Sequence, residues 1–238
     1  MSALLAIAWR EYAAFFRTSM GWVIVALYLI LAGVWIGFGA IRPGEPATLR
    51  VFFGSSQWLL LAVAPAISMR LLAEEFRAGT FELVQTSPAS DWAVAAAKFL
   101  AGWAVVLTML APSLTGVLAL ELVADPDYGP IAAGYAGLAL LGAVYISAGL
   151  LMSSLTQNQV VAFIATIALF LGWWFATTTG AAAAPEPWNR ALHTLALAPR
   201  MTDFASGVID SRHAAFFALV TAWFVSMSAL SLETRRWR

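Results

Sequence analysis

The chain has 238 residues, of which 61% are hydrophobic and 11% charged, with no formal net charge at pH 7 and no cysteine. Soluble domains carry ~25% charged residues, so this composition excludes an ordinary soluble fold and points into a bilayer. The missing cysteines remove disulfides, thiolate metal sites and cysteine nucleophiles. The balanced charge argues neither for nor against nucleic acid, and no nucleic-acid partner is expected.

Ser2–Ala8 is a short apolar run without a preceding basic region. Trp9-Arg10-Glu11 follows where a signal peptide would place small residues, so the start does not read as one. Leu5, Trp9, Tyr12 and Phe16 fall at helical spacing on one face, with Arg10, Glu11 and Arg17 on another. This predicts an amphipathic helix in the membrane interface; the alternative is a frayed extension of the first span.

Windows without Asp, Glu, Lys or Arg then recur at Thr18–Ile41, Val51–Met69, Phe99–Leu120 and Ala214–Leu232, each about one bilayer crossing long. Tyr128–Pro185 is also charge-free and too long for one helix at ~1.5 Å rise per residue. Its natural break is Ser153-Ser154-Leu155-Thr156-Gln157-Asn158-Gln159. The prediction is an all-α integral membrane fold forming a single transmembrane domain over 1–238. Its six helices are expected at about 20–41, 51–71, 92–119, 131–152, 159–179 and 214–232.

An even count puts both termini on one side. Were that side the cytoplasm, Arg10, Arg17, Arg70, Arg77, Lys98, Arg235, Arg236 and Arg238 would lie inside, and the positive-inside rule favours that orientation. Pro65 and Pro112 fall within spans and free the carbonyls of Leu61 and Thr108, which predicts kinks. Static bending is the plain reading of these prolines and a hinge the functional one. Gly33 and Gly37 match a small-xxx-small packing pattern.

The sole lysine, Lys98, is followed by Phe99, so no phosphate-binding loop of the G-x-x-x-x-G-K-[ST] type is present. No HExxH or G-x-S-x-G occurs, and no metal ligands, cofactor or catalytic residues are expected in this chain. No span carries an acidic residue or arginine near its middle, as a proton path would require; Lys98 and Glu121 are expected to snorkel or face water. Energy for any transport would then enter from outside the bilayer.

Arg70–Lys98 concentrates charge between two apolar runs. Leu71–Ala78 should continue the second span beyond the membrane, and Gly79 suits a left-handed cap. Thr80 can cap a new short helix with Glu82 in its first turn, Phe81, Leu83 and Val84 making it partly apolar, and Ser87-Pro88 stopping it. The plain alternative is a solvated turn held out of lipid by its charges.

Glu74-Glu75-Phe76-Arg77-Ala78-Gly79-Thr80-Phe81-Glu82-Leu83, followed by Thr86-Ser87-Pro88 and Lys98, resembles the signature of ABC-2-type permeases between their second and third spans. Ser153–Gln159 and Gly207-Val208-Ile209-Asp210 resemble the gliding-motility and copper/nitrous-oxide-related branch. With two basic and four acidic side chains, Arg70–Asp91 is more acidic than that family would suggest.

The resemblance implies a multi-pass subunit of the bacterial inner membrane with both termini cytoplasmic. Its partners would be the lipid bilayer, a second copy or sister permease, and cytoplasmic ABC ATPase subunits holding ATP and magnesium. Glu74, Glu75, Arg77, Gly79, Thr80, Phe81, Glu82, Leu83, Thr86 and Pro88 would form the ATPase-coupling interface. In it, Glu75 and Arg77 would make polar contacts with the ATPase or the connecting helix, and Phe81 and Leu83 the apolar seat. Trp9, Arg10, Tyr12, Phe16 and Arg17 would belong to the connecting helix, and Gly180–His213 would form re-entrant helices capping the exit. The rivals are a haem-exporter-like permease of cytochrome maturation and a non-transporting scaffold that recruits a cytoplasmic protein.

Overall fold

The computed structural model describes residues 3–39, 48–81, 90–122 and 124–236. Every regular element among them is helical. Helix α1 (Ala3–Arg17) precedes α2 (Ser19–Gly39), α3 (Arg50–Ser68) and the short α4 (Ala73–Ala78). Then come α5 (Asp91–Ser113), α6 (Thr115–Glu121), α7 (Tyr128–Leu155) and α8 (Gln159–Phe175). A π-helical turn, Ala176–Gly180, leads into α9 (Ala181–Ala183), α10 (Trp188–Thr194), α11 (Leu197–Ala205) and α12 (Ser211–Arg236).

Six stretches are long and apolar enough to cross a bilayer: Ser19–Gly39, Arg50–Ala78, Asp91–Glu121, Tyr128–Leu155, Gln159–Ala183 and Ser211–Arg235. The chain is therefore a multi-pass membrane protein, and the six expected spans fall where the charge-free windows put them. Leucine, valine and aromatic side chains all round these helices satisfy lipid and neighbours alike, while helix formation satisfies the backbone internally. One end of the bundle, here the near end, gathers α1, α4 and the last turns of α12. The far end carries α9–α11.

Helix α7 is the centre. Of its apolar window 72% is buried, against 22% for the span that begins with α8. It packs against α3, α5, α8, α11 and α12. Glycine allows that proximity: a Cβ on Gly149 would run into Ser68 Oγ of α3. Gly33 and Gly37 on α2 differ, since among the described residues nothing lies within 4 Å of the space a Cβ would take.

Two breaks depart from straight spans. The third span is interrupted at Leu114, where Leu114 N bonds Ala111 O at 3.1 Å, before α6 begins, whereas α5 runs unbroken through Thr108 and Pro112. Thr108 Oγ1 donates to Ala104 O at 2.8 Å and receives the Tyr12 hydroxyl, also at 2.8 Å, so α5 is tied to α1. The second span does not run on through residue 71. It stops at Ser68, turns through residues 69–72, and restarts as α4.

A near-end site built around a helix break

The turn at 69–72 would leave backbone groups without helical partners inside an apolar bundle, each a costly orphan. Neighbouring side chains supply them. Ser153 Oγ of α7 accepts from Leu72 N at 3.1 Å and Ala73 N at 2.9 Å, and donates to Met69 O at 3.0 Å. Lys98 Nζ of α5 donates to Leu71 O at 2.6 Å. The break is thus held by two side chains from two other spans.

Lys98 is completely buried. The expectation that it would snorkel or face water is corrected, because its charge finds partners inside the protein. Glu75 Oε1 lies 2.9 Å from its ammonium and Glu11 Oε2 3.7 Å. Arg10 bridges the two acids, 2.8 Å from Glu11 and 3.7 Å from Glu75. The four groups form a neutral set joining α1, α4 and α5. Burying an ammonium is tolerable only with such pairing and hydrogen bonding. Glu121 does face solvent, where it accepts the Tyr128 hydroxyl at 2.7 Å.

Helix α1 forms as the periodicity predicts, and a turn at Thr18 separates it from α2, against a simple extension of the span. Tyr12 and Phe16 pack on the main core, whereas Leu5 and Trp9 stay exposed. Arg10 and Arg17 are exposed, but Glu11 turns inward to Lys98 rather than outward to water. Arg70 joins the same region, 2.9 Å from Glu74 and in contact with Thr18 Oγ1 at 3.4 Å.

Helix α4 ends at Gly79, whose φ of 68° needs a residue without a Cβ. Thr80 N reaches back to Glu75 O at 3.1 Å, closing the cap. Arg77 and Thr80 are exposed on the outside of this knuckle. Phe81 is not: at 8% exposure it packs with Leu72, Val94, Leu150 and Leu232 of the chain itself, edge-on to Phe76 at 4.8 Å. Arg235 of α12 lies over the other side of that neighbourhood, 4.3 Å from the Phe76 ring centre. Phe81 therefore anchors the segment inward. Glu82, Leu83, Thr86 and Pro88 lie outside the described residues.

The far end has its own closure. Met201 and Phe204 of α11 are buried, and α11 packs across α7 and α3. Trp173 Nε1 donates to Leu195 O at 2.8 Å, tying α8 to the α10–α11 link. Arg200 caps Thr194 O and stacks 3.9 Å from the Phe216 ring centre. Burial pulls its guanidinium below the ordinary value, with Asp203 and Asp210 opposing. Sequence reading noted Ser153 only as part of the polar cluster that ends the fourth span, and the Lys98–Glu11 pair not at all; nothing local in the sequence marks the role of either.

No curated protein matches the chain. Residues 44–196, well over half of the sequence and including the break, α4 and Lys98, match the family model described as ABC-2 family transporter protein. The chain belongs to that family and is the membrane-spanning permease component of an ABC transporter.

Proposed function

We propose that this permease couples ATP hydrolysis in a separate cytoplasmic ATPase subunit to substrate export, through the segment from Glu74 to Pro88. ABC-2 permeases are generally partnered with an ATPase subunit. The observation that carries the reading is the anchored break: α4 is pinned to α5 by Lys98 and to α7 by Ser153, so a push on its exposed cap passes directly into two spans. A solvated turn has no need of a buried ammonium.

In this reading Arg77, Thr80, Glu82, Leu83 and Thr86 meet the ATPase, while Phe81 holds the segment to the bundle. Trp9 and Arg10, exposed on α1, border the same partner. The near end faces the cytoplasm of a bacterial inner membrane, as the distribution of arginines favours. ATP and magnesium bind in the partner, and this chain holds no cofactor and catalyses no hydrolysis. A second copy or a sister permease completes the pathway. Ser153–Gln159 and Gly207–Asp210 support the gliding-motility and copper/nitrous-oxide-related branch.

The test is copurification of the full chain from its native membrane. The wild-type protein brings down an ATPase in stoichiometric amount. Replacing Phe81-Glu82-Leu83 with Gly-Ser-Gly lowers that recovery, or the turnover stimulated by the permease, at least tenfold. Because Phe81 is a core residue, Arg77→Glu provides a second arm that leaves the core untouched and gives the same loss. Full recovery and unchanged turnover in both variants overturn the proposal, and recovery with non-ATPase proteins alone identifies a scaffold.

A further inference from the structure

We infer that the chamber between α3, α7, α8 and the α10–α11 link binds an uncharged amphiphile with an apolar body and one hydroxyl or carbonyl group. The inference is independent of near-end coupling. The chamber measures about 310 Å³, within the ~300–1,000 Å³ typical of small-molecule sites. Its walls include Trp58, Leu61, Phe170 and Trp174. Trp58 and His193 line it and are exposed, so it opens both on the flank of the bundle and towards the far end. A membrane-dissolved molecule can enter by the flank.

Two features limit the occupant. First, none of the lining residues is Asp, Glu, Lys or Arg, so an ionic group would sit unpaired within a span. The aromatic pairs also face one another edge-on, Trp58 with Trp174 at 5.6 Å and Tyr145 with Phe170 at 4.5 Å, instead of enclosing a cation. Second, Tyr145 lines the chamber at 7% exposure, and its hydroxyl has no protein hydrogen-bond partner among the described residues. Unlike the unpaired Tyr28 hydroxyl, its oxygen is not sealed off, so an occupant of the chamber can reach it. Thr177 and Thr178, by contrast, donate to the carbonyls of Trp173 and Trp174 across the π-helical turn. Tyr145 and Gln57 are therefore polar groups that a ligand in the chamber can meet.

The experiment uses the full chain in phosphatidylcholine nanodiscs with a diazirine-bearing long-chain alcohol as probe, and peptide mass spectrometry as readout. Labelling should saturate, concentrate on residues 57–61, 170–178 and 193–199, and be competed by unlabelled alcohol. The corresponding alkyl trimethylammonium and alkyl sulfate should compete at least tenfold less well. Leu61→Trp, which fills the chamber, should abolish saturable labelling. Tyr145→Phe should weaken it about two- to tenfold, the worth of one hydrogen bond. Unsaturable labelling spread over α2 and α12, better competition by either charged amphiphile, or wild-type labelling in both variants overturns the inference.

Discussion

Lys98 shows how a single residue reconciles a charge with an apolar surrounding. Its ammonium meets a carbonyl freed by the helix break and a carboxylate from α4, with Glu11 behind. Removing one partner of such a set leaves the other charged and stranded, which costs ~3–5 kcal/mol when burial is complete. Glu75 and Glu11 keep some access to solvent, so Lys98→Met should sit near the lower end, about 3 kcal/mol, by thermal or denaturant unfolding in detergent. Lys98→Met combined with Glu75→Gln should be milder than the sum of the single changes by at least ~1 kcal/mol. Strict additivity would mean that the pair does not act as one. None of this pairing is legible in sequence. Lys98 stands seven residues into an apolar run, and only the fold brings Glu11 and Glu75 to it; a sequence reading could see the charge but not its company.

At the scale of elements, the break between α3 and α4 depends on a hydroxyl from a span 81 residues away. The charge-free windows and the polar cluster at Ser153–Gln159 gave the helices and the α7–α8 junction, because lipid imposes those patterns on every crossing. The left-handed end at Gly79 was legible too, since few residues accept that conformation. The interruption at 69–72 was not, because an apolar helix signal carries no trace of a donor supplied from elsewhere. Ser153→Ala should strand Leu72 N and Ala73 N and loosen α4. Hydrogen exchange of residues 69–78 should quicken at least tenfold, with α8 unchanged, in line with a cost of ~1–3 kcal/mol for unsatisfied buried groups. Equal protection in the variant would show that the turn holds without Ser153. Phe81 makes the same point from another side: the resemblance implies an outward apolar seat, yet Phe76, Leu72 and Leu150 enclose it.

Across the whole molecule, burial is uneven, and α7 takes most of it. Tolerance to added volume should follow. Gly149→Val forces a methyl pair against Ser68 and should destabilise by at least ~2 kcal/mol or prevent insertion, as overpacking does. Gly33→Val on the open face of α2 should leave the monomer's stability within ~0.5 kcal/mol. Similar losses at both positions, measured by thermal unfolding of detergent-solubilised monomer, would contradict a packing hierarchy centred on α7.

That hierarchy has a consequence for the surrounding lipid. A helix screened on most of its circumference is indifferent to acyl-chain length, whereas α2 and the span beginning with α8 are left largely uncovered by the rest of the chain. Thinner or thicker membranes would therefore tilt the peripheral rods around a stationary axle, and the flank entrance beside Trp58 would widen or narrow with leaflet thickness while the serine clasp at the opposite end stayed shut.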